Sequence, residues 1–156
     1  MKALIVIDMQ QDYVGQQRNK KRYPYITERL VGDINLRIAE YVQNNEPVIY
    51  VMNRGKFSAP SPLIPEMNVV SDLIFEKSRA SCFSDNALVS YLNEQKISQI
   101  ELAGVDGNYC VGMSALAGAK LGFSICLNLS YVGIANIKKF YPTKVKLISA
   151  NVSVLQ

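Results

Sequence analysis

The sequence predicts an α/β protein, a parallel sheet with helices packed on both of its faces. Strand-like and helix-like segments alternate along the 156 residues. Two of the strands, Ala3-Leu-Ile-Val-Ile7 and Val48-Ile-Tyr-Val-Met52, are continuous apolar runs, the pattern of strands covered on both sides. Between them Leu30, Val31, Ile34, Ile38, Tyr41 and Val42 recur at helical spacing. Parallel strands joined through such helices call for right-handed crossovers.

The first strand stops at Asp8, and a polar loop runs from Gln10 to Pro24. Thr27 is the expected N-cap of the first long helix, and Pro47, just past Asn44-Asn45, closes it. After the strand over 48–52, residues 53–71 hold Pro60, Pro62 and Pro65 and read as an irregular loop. A short strand over 72–76 delivers Lys77. Ser84-Asp85-Asn86 offers cap chemistry to a helix carrying Leu88, Tyr91 and Leu92. Residues 97–103 form the next strand. Residues 108–121 read as a helix of small side chains, Gly112, Ser114, Ala115 and Gly118 among them, able to approach a sheet closely. Gly122 suits its C-terminal end. The last strands are expected at 123–129 and 145–148, with too little chain between them for a long helix.

Composition narrows the function. A hydrophobic content of 49% with 19% charged residues describes one globular domain over 1–156. The net charge of +4 is modest. Its one dense basic cluster, Arg18-Asn-Lys20-Lys21-Arg22, is a solvated loop or an anion-binding patch, not a nucleic-acid track. Tyr23 and Tyr25 follow it, a placement that suits a substrate entrance. The apolar run after Met1-Lys2 is too short for a signal peptide, and no run approaches the ~20 residues of a membrane span. Cys82, Cys110 and Cys126 show no paired spacing, which suits free thiols in the cytoplasm. With no histidine, Ser-His-Asp and Cys-His pairs and histidine zinc sites are excluded. Chemistry must rest on Asp, Glu, Lys, Cys or Tyr.

Asp8, Lys77 and Cys110 all fall at or just beyond expected strand C-termini, the rim where parallel sheets bind ligands. Each has a plain structural reading: a cap or turn aspartate, a surface lysine, a buried helix cysteine. Cys82 and Cys126 read as small core residues. Cys110 follows the turn Gly104-Val-Asp-Gly-Asn-Tyr109 and should open a helix, where free amides and the macrodipole favour a thiolate and an oxyanion.

Three segments, Asp8-Met-Gln-Gln-Asp12-Tyr13, Lys77-Ser-Arg-Ala-Ser-Cys-Phe83 and Gly104-Val-Asp-Gly-Asn-Tyr-Cys110-Val, resemble in order and spacing the motifs of the isochorismatase-like cysteine hydrolases. That family includes nicotinamidases, N-carbamoylsarcosine amidohydrolase and isochorismatase. The resemblance covers about the first 130 residues. It implies a three-layer α-β-α, Rossmann-like fold with a six-stranded, mostly parallel sheet. It also implies a triad: Asp8 takes the thiol proton, Lys77 holds that carboxylate, and Cys110 attacks a carbonyl. The bond Val105–Asp106 would be cis and aim the amides of Asp106 and Cys110 at an oxyanion. Tyr13, Phe83 and Tyr109 would line the substrate site, and the assembly would be a homo-oligomer.

The family's nicotinamidases hold a metal through an aspartate and histidines after the second strand. Here that stretch is Met52-Asn53-Arg54-Gly55-Lys56, with neither residue type. Asp106 stands where the family has an uncharged residue, which suits a cationic or polar substrate group. The expectation is therefore a hydrolase without metal or cofactor, cleaving an amide or carbamoyl C–N bond of a small molecule, with no nucleic-acid or membrane partner. The alternatives are isochorismatase-like vinyl-ether hydrolysis, which needs no thiol, and a non-catalytic binding protein on this fold.

Overall fold

The computed structural model describes residues 1–55 and 59–156. Lys56, the last residue of the stretch compared with the metal loop, lies outside them. Six strands run in chain order as β1 (Lys2–Ile7), β2 (Val48–Asn53), β3 (Ile74–Lys77), β4 (Gln99–Val105), β5 (Ser124–Gly133) and β6 (Ser153–Leu155). They form one sheet in the order β3-β2-β1-β4-β5-β6, with every pairing parallel. The sheet grows outward in opposite directions from β1 and β4. Their carboxyl ends therefore border the crevice where such sheets take ligands.

Among the described residues, five α-helices accompany the sheet: α1 (Gln11–Val14), α2 (Thr27–Gln43), α3 (Asn86–Glu94), α4 (Cys110–Lys120) and α5 (Ile137–Ser149). Alternation along β1 sends Leu4 and Val6 to one face, where they pack with Ile34, Ile38 and Tyr41 of α2. Ile5 and Ile7 point to the other face and meet Leu88, Val111, Ala115 and Leu147. Both faces of β1 are fully covered, which is why its sequence is apolar throughout. Among the described residues, no helix is long and apolar enough to cross a membrane.

A charge interrupts β4. Glu101 is buried, and its carboxylate accepts from Arg37 Nη2 at 2.7 Å and from the Tyr41 hydroxyl at 2.7 Å. That pairing compensates its burial and ties α2 to the sheet.

Three local expectations are corrected. Thr27 is the first residue of α2 and not its cap: Ile26 occupies that position, and Thr27 Oγ1 is buried without a partner. Residues 145–148 are not a strand but the last turns of α5, which occupies the stretch judged too short for a long helix. Val145 and Ile148 face outward while Leu147 is buried, a helical and not an alternating pattern. The true last strand, β6, is a three-residue edge. The loop over 10–24 also contains α1. Elsewhere Asp85 caps α3 through Ala87 N, and Gly122 follows α4 with φ +97°.

Candidate active site

The site begins with the turn that ends β1. Asp8 adopts a left-handed backbone conformation, φ 57°, while its amide still donates to Val51 O at 2.9 Å. The carboxylate sits at the sheet's carboxyl edge, buried. Lys77 ends β3, two strands away, and its ammonium reaches both of the other residues. Nζ donates to Asp8 Oδ2 at 3.2 Å and to Cys110 Sγ at 3.2 Å. The lysine side chain is 0% exposed. Three residues far apart in sequence thus meet around one ammonium.

Cys110 opens α4 after the turn from β4. Gly104 makes that turn possible: its φ is +115°, and a Cβ there would lie 2.0 Å from Ile7 O. The Val105–Asp106 peptide is cis. The amides around the turn divide into two groups. Gly107 N donates to Gly133 O, Asn108 N to Asp106 Oδ1, and Tyr109 N and Val111 N to Asp106 O. Among the described residues, the amides of Asp106 and Cys110 have no internal acceptor. They are the two that the resemblance assigns to an oxyanion.

The Asp106 side chain is held in a network of internal hydrogen bonds. Its carboxylate accepts from the Tyr25 hydroxyl at 2.9 Å, Asn108 N at 2.7 Å and Ala135 N at 2.6 Å. It braces the cysteine turn against Tyr25 and the segment after β5. Three internal donors occupy most of its acceptor sites.

Burial acts on both Asp8 and Cys110. Burial pushes the Asp8 carboxyl above the usual aspartate range, against the pull of Lys77. Burial and the neighbouring Asp8 charge push the Cys110 thiol up to about 12, again against Lys77. Desolvation and the Asp8 charge thus oppose the thiolate that the helix N-terminus and Lys77 favour. Asp8 Oδ1 is buried without a hydrogen-bond partner, leaving an acceptor on the carboxylate.

A cavity of about 590 Å³ opens over Cys110. Tyr13, Tyr23 and Tyr25 build one wall, with Tyr13 and Tyr23 edge to face at 5.3 Å and Tyr23 stacked on Tyr25 at 6.4 Å. Tyr109 also lines it. Phe83, expected there, does not: it is buried in the core, stacked on Phe123 at 5.5 Å and seated against Gly118. Cys82 is fully buried as a core residue, its amide donating to Ser114 Oγ at 2.9 Å, and Cys126 lies within β5.

The end of β2 does not fit a metal. Asn53 Nδ2 donates to the Tyr13 hydroxyl at 3.0 Å, and Asn53 Oδ1 accepts from Gly55 N at 3.1 Å. Gln10 closes the same corner, accepting from Asn53 N and donating to the carbonyls of Asn53 and Ser61. These amides satisfy each other and bring no charge to a cation. Among the described residues, no cluster of three or more His, Cys, Asp or Glu side chains could hold a metal ion.

Three cavity residues escaped the sequence reading. Lys139, Ala135 and Asn136 come from the start of α5 and the segment before it. The signal was present in Asn136, whose side chain caps α5 through Lys139 N at 3.1 Å.

Comparison with known proteins agrees with this architecture. A structure of an isochorismatase-like hydrolase from Alkaliphilus metalliredigens superposes with a TM-score of 0.82 at 23% identity, covering 99% of this chain and 94% of the other. N-carbamoylsarcosine amidase from Thermoplasma acidophilum gives 0.82 at 20% identity, covering 99% and 95%. The nicotinamidase from Staphylococcus aureus gives 0.82 at 21%, covering 99% and 98%. At these identities the likeness shows the fold alone. No curated protein matches the sequence. The isochorismatase domain matches residues 2–128, most of the chain and all three segments around Asp8, Lys77 and Cys110, and the chain therefore belongs to the isochorismatase family.

Proposed function

We propose that the protein is a cysteine hydrolase that cleaves an amide or carbamoyl C–N bond of a small molecule, with Asp8, Lys77 and Cys110 as its catalytic triad. The observation that carries this reading is the Lys77 ammonium, 3.2 Å from both the Asp8 carboxylate and the Cys110 sulfur. Resting as thiol, carboxylate and ammonium, the group has no net charge. Moving the thiol proton to Asp8 gives thiolate, carboxylic acid and ammonium, and the net charge is still zero. A buried site tolerates such a transfer because no charge is created or lost within it. It also removes the Asp8 charge that holds the thiol proton in place.

The thiolate attacks the substrate carbonyl carbon, and the carbonyl oxygen takes the electron pair, accepted by the amides of Asp106 and Cys110. Collapse breaks the C–N bond, and the leaving nitrogen takes the proton from Asp8. A thioester remains on Cys110. Water then attacks it while Asp8 accepts the water's proton, and the sulfur leaves and recovers that proton as a thiol. Asn53 and its neighbours hold no metal in this reading, and no step needs one.

Ammonia release from a panel of small amides, compared between the wild type and Cys110→Ala, tests the proposal. Turnover by the wild type and none by the variant is expected. Equal turnover would instead support acid catalysis of the vinyl-ether kind, and no turnover of any compound would support a binding protein.

Two further expectations belong to the same proposal. The three cysteines are free, which suits a reducing cytoplasm. Ile137, Tyr141, Val145 and Ile148 are each more than half exposed along α5, an apolar stripe that a homo-oligomer would bury.

A further inference from the structure

The basic cluster near residue 20 is not one patch. Arg18 turns inward, and its guanidinium donates to the carbonyls of Gly15 at 3.1 Å, Tyr23 at 2.8 Å and Tyr25 at 2.8 Å. It pins the loop from within. Lys21 and Arg22, carried on that pinned loop, line the cavity over Cys110. A separate element, α5, contributes Lys139 to the same lining. All three are exposed, whereas Cys110 lies deeper and partly buried. Among the described residues no acidic side chain forms an ion pair with any of them.

The two acids that line this cavity offset only part of that charge. Asp8 is paired with Lys77, and Asp106 is committed to three internal donors. The three cations of the mouth thus outnumber the single carboxylate of the lining that has no cationic partner, Asp106. Between rim and floor stands the tyrosine wall, and the Arg22 guanidinium lies 5.4 Å over the Tyr23 ring, oriented by that face.

We propose that the substrate is an anionic amide, with a carboxylate at the end remote from the scissile bond. The carboxylate binds Lys21, Arg22 and Lys139 at the rim, Arg22 as a planar fork. The body of the molecule lies along the tyrosines, and its uncharged amide reaches Cys110. The inference rests on the hydrolase reading for its reaction, but the recognition of charge is a binding property and is tested as one.

The probes are two isosteric pairs, succinamate with succinamide and 4-carbamoylbenzoate with terephthalamide. Each pair differs by one carboxylate replaced with a neutral amide. Their affinities are measured by calorimetry on Cys110→Ala, which binds without turnover. In at least one pair the anion is expected to bind roughly tenfold or more tightly, with a preference that falls as salt rises. The preference should collapse toward unity when Lys21→Gln, Arg22→Gln and Lys139→Gln are combined in that host. Equal affinities in both pairs, a preference unchanged by the three substitutions, or failure of every probe to bind overturns the inference. Charge preference without hydrolysis by the wild type counts against the hydrolase reading alone. Hydrolysis without charge preference counts against this inference alone.

Discussion

Lys77 and Asp8 form an ion pair at 3.2 Å with almost no contact with water, their side chains 0% and 4% exposed. Each charge is tolerated because the other is there. Removing one leaves its partner buried and uncompensated, so Lys77→Met should destabilise the protein by about 3–5 kcal/mol. Urea unfolding measures this. A loss below about 1 kcal/mol, the scale of an ordinary substitution, would contradict the pairing.

Asp8 makes stability depend on pH, with a definite sign. Its folded pKa is raised above the unfolded value, so the folded state holds the proton more tightly. That contribution is fully present below the ordinary aspartate range and is lost as pH rises through the raised value. Asp8→Asn removes the titration. Unfolding free energies across that window should fall with pH more steeply in the wild type than in the variant. The acid limb of kcat/KM should lie at the same raised value, above that of an ordinary carboxylate.

The Asp8 charge also helps hold the Cys110 thiol at about 12. Asp8→Asn should therefore have opposite effects on two reactions at Cys110. Hydrolysis should be lost with the base. Alkylation by iodoacetamide at neutral pH should speed up, by roughly tenfold for each pKa unit the thiol falls, until the thiolate predominates. Peptide mapping reads it out, with fully buried Cys82 as the internal reference. Slower alkylation in the variant would mean that Asp8 does not oppose the thiolate.

Gly104 is fixed by space as well as by φ. A methyl group there would press on the β1 backbone at Ile7 O, which has no flexible side chain to yield. Gly104→Ala should cost more than about 2 kcal/mol and lower activity, because the turn it displaces carries Cys110. Thermal unfolding and ammonia release together check both effects.

Much of the site was legible because parallel sheets bind at one edge. Strand ends placed Asp8, Lys77 and Cys110 on that edge, and the resemblance of three segments to family motifs singled them out as a group. Val145-Lys-Leu-Ile148 was misread because a short apolar run has no period of its own; Tyr141 and Ile137, one and two turns earlier, completed the helical spacing across Pro142. Phe83 was misplaced because its motif says nothing of which way the 3-10 turn at Cys82–Ser84 points it. The helix N-terminus that favours a thiolate can be seen in sequence, and the desolvation that opposes it cannot. Lys139 lay hidden because no periodicity links the start of α5 to a loop more than a hundred residues away.

The central claim is that Cys110 carries the acyl group, and rapid-quench mass spectrometry during turnover of a hydrolysed amide tests it most directly. The account predicts a transient adduct with the mass of the acyl group, mapped to Cys110 and absent from Cys110→Ala, which releases no ammonia. It also predicts that neither adduct nor turnover changes on exhaustive chelation. Ammonia release by Cys110→Ala, at a wild-type rate and with no adduct at any time, would contradict it.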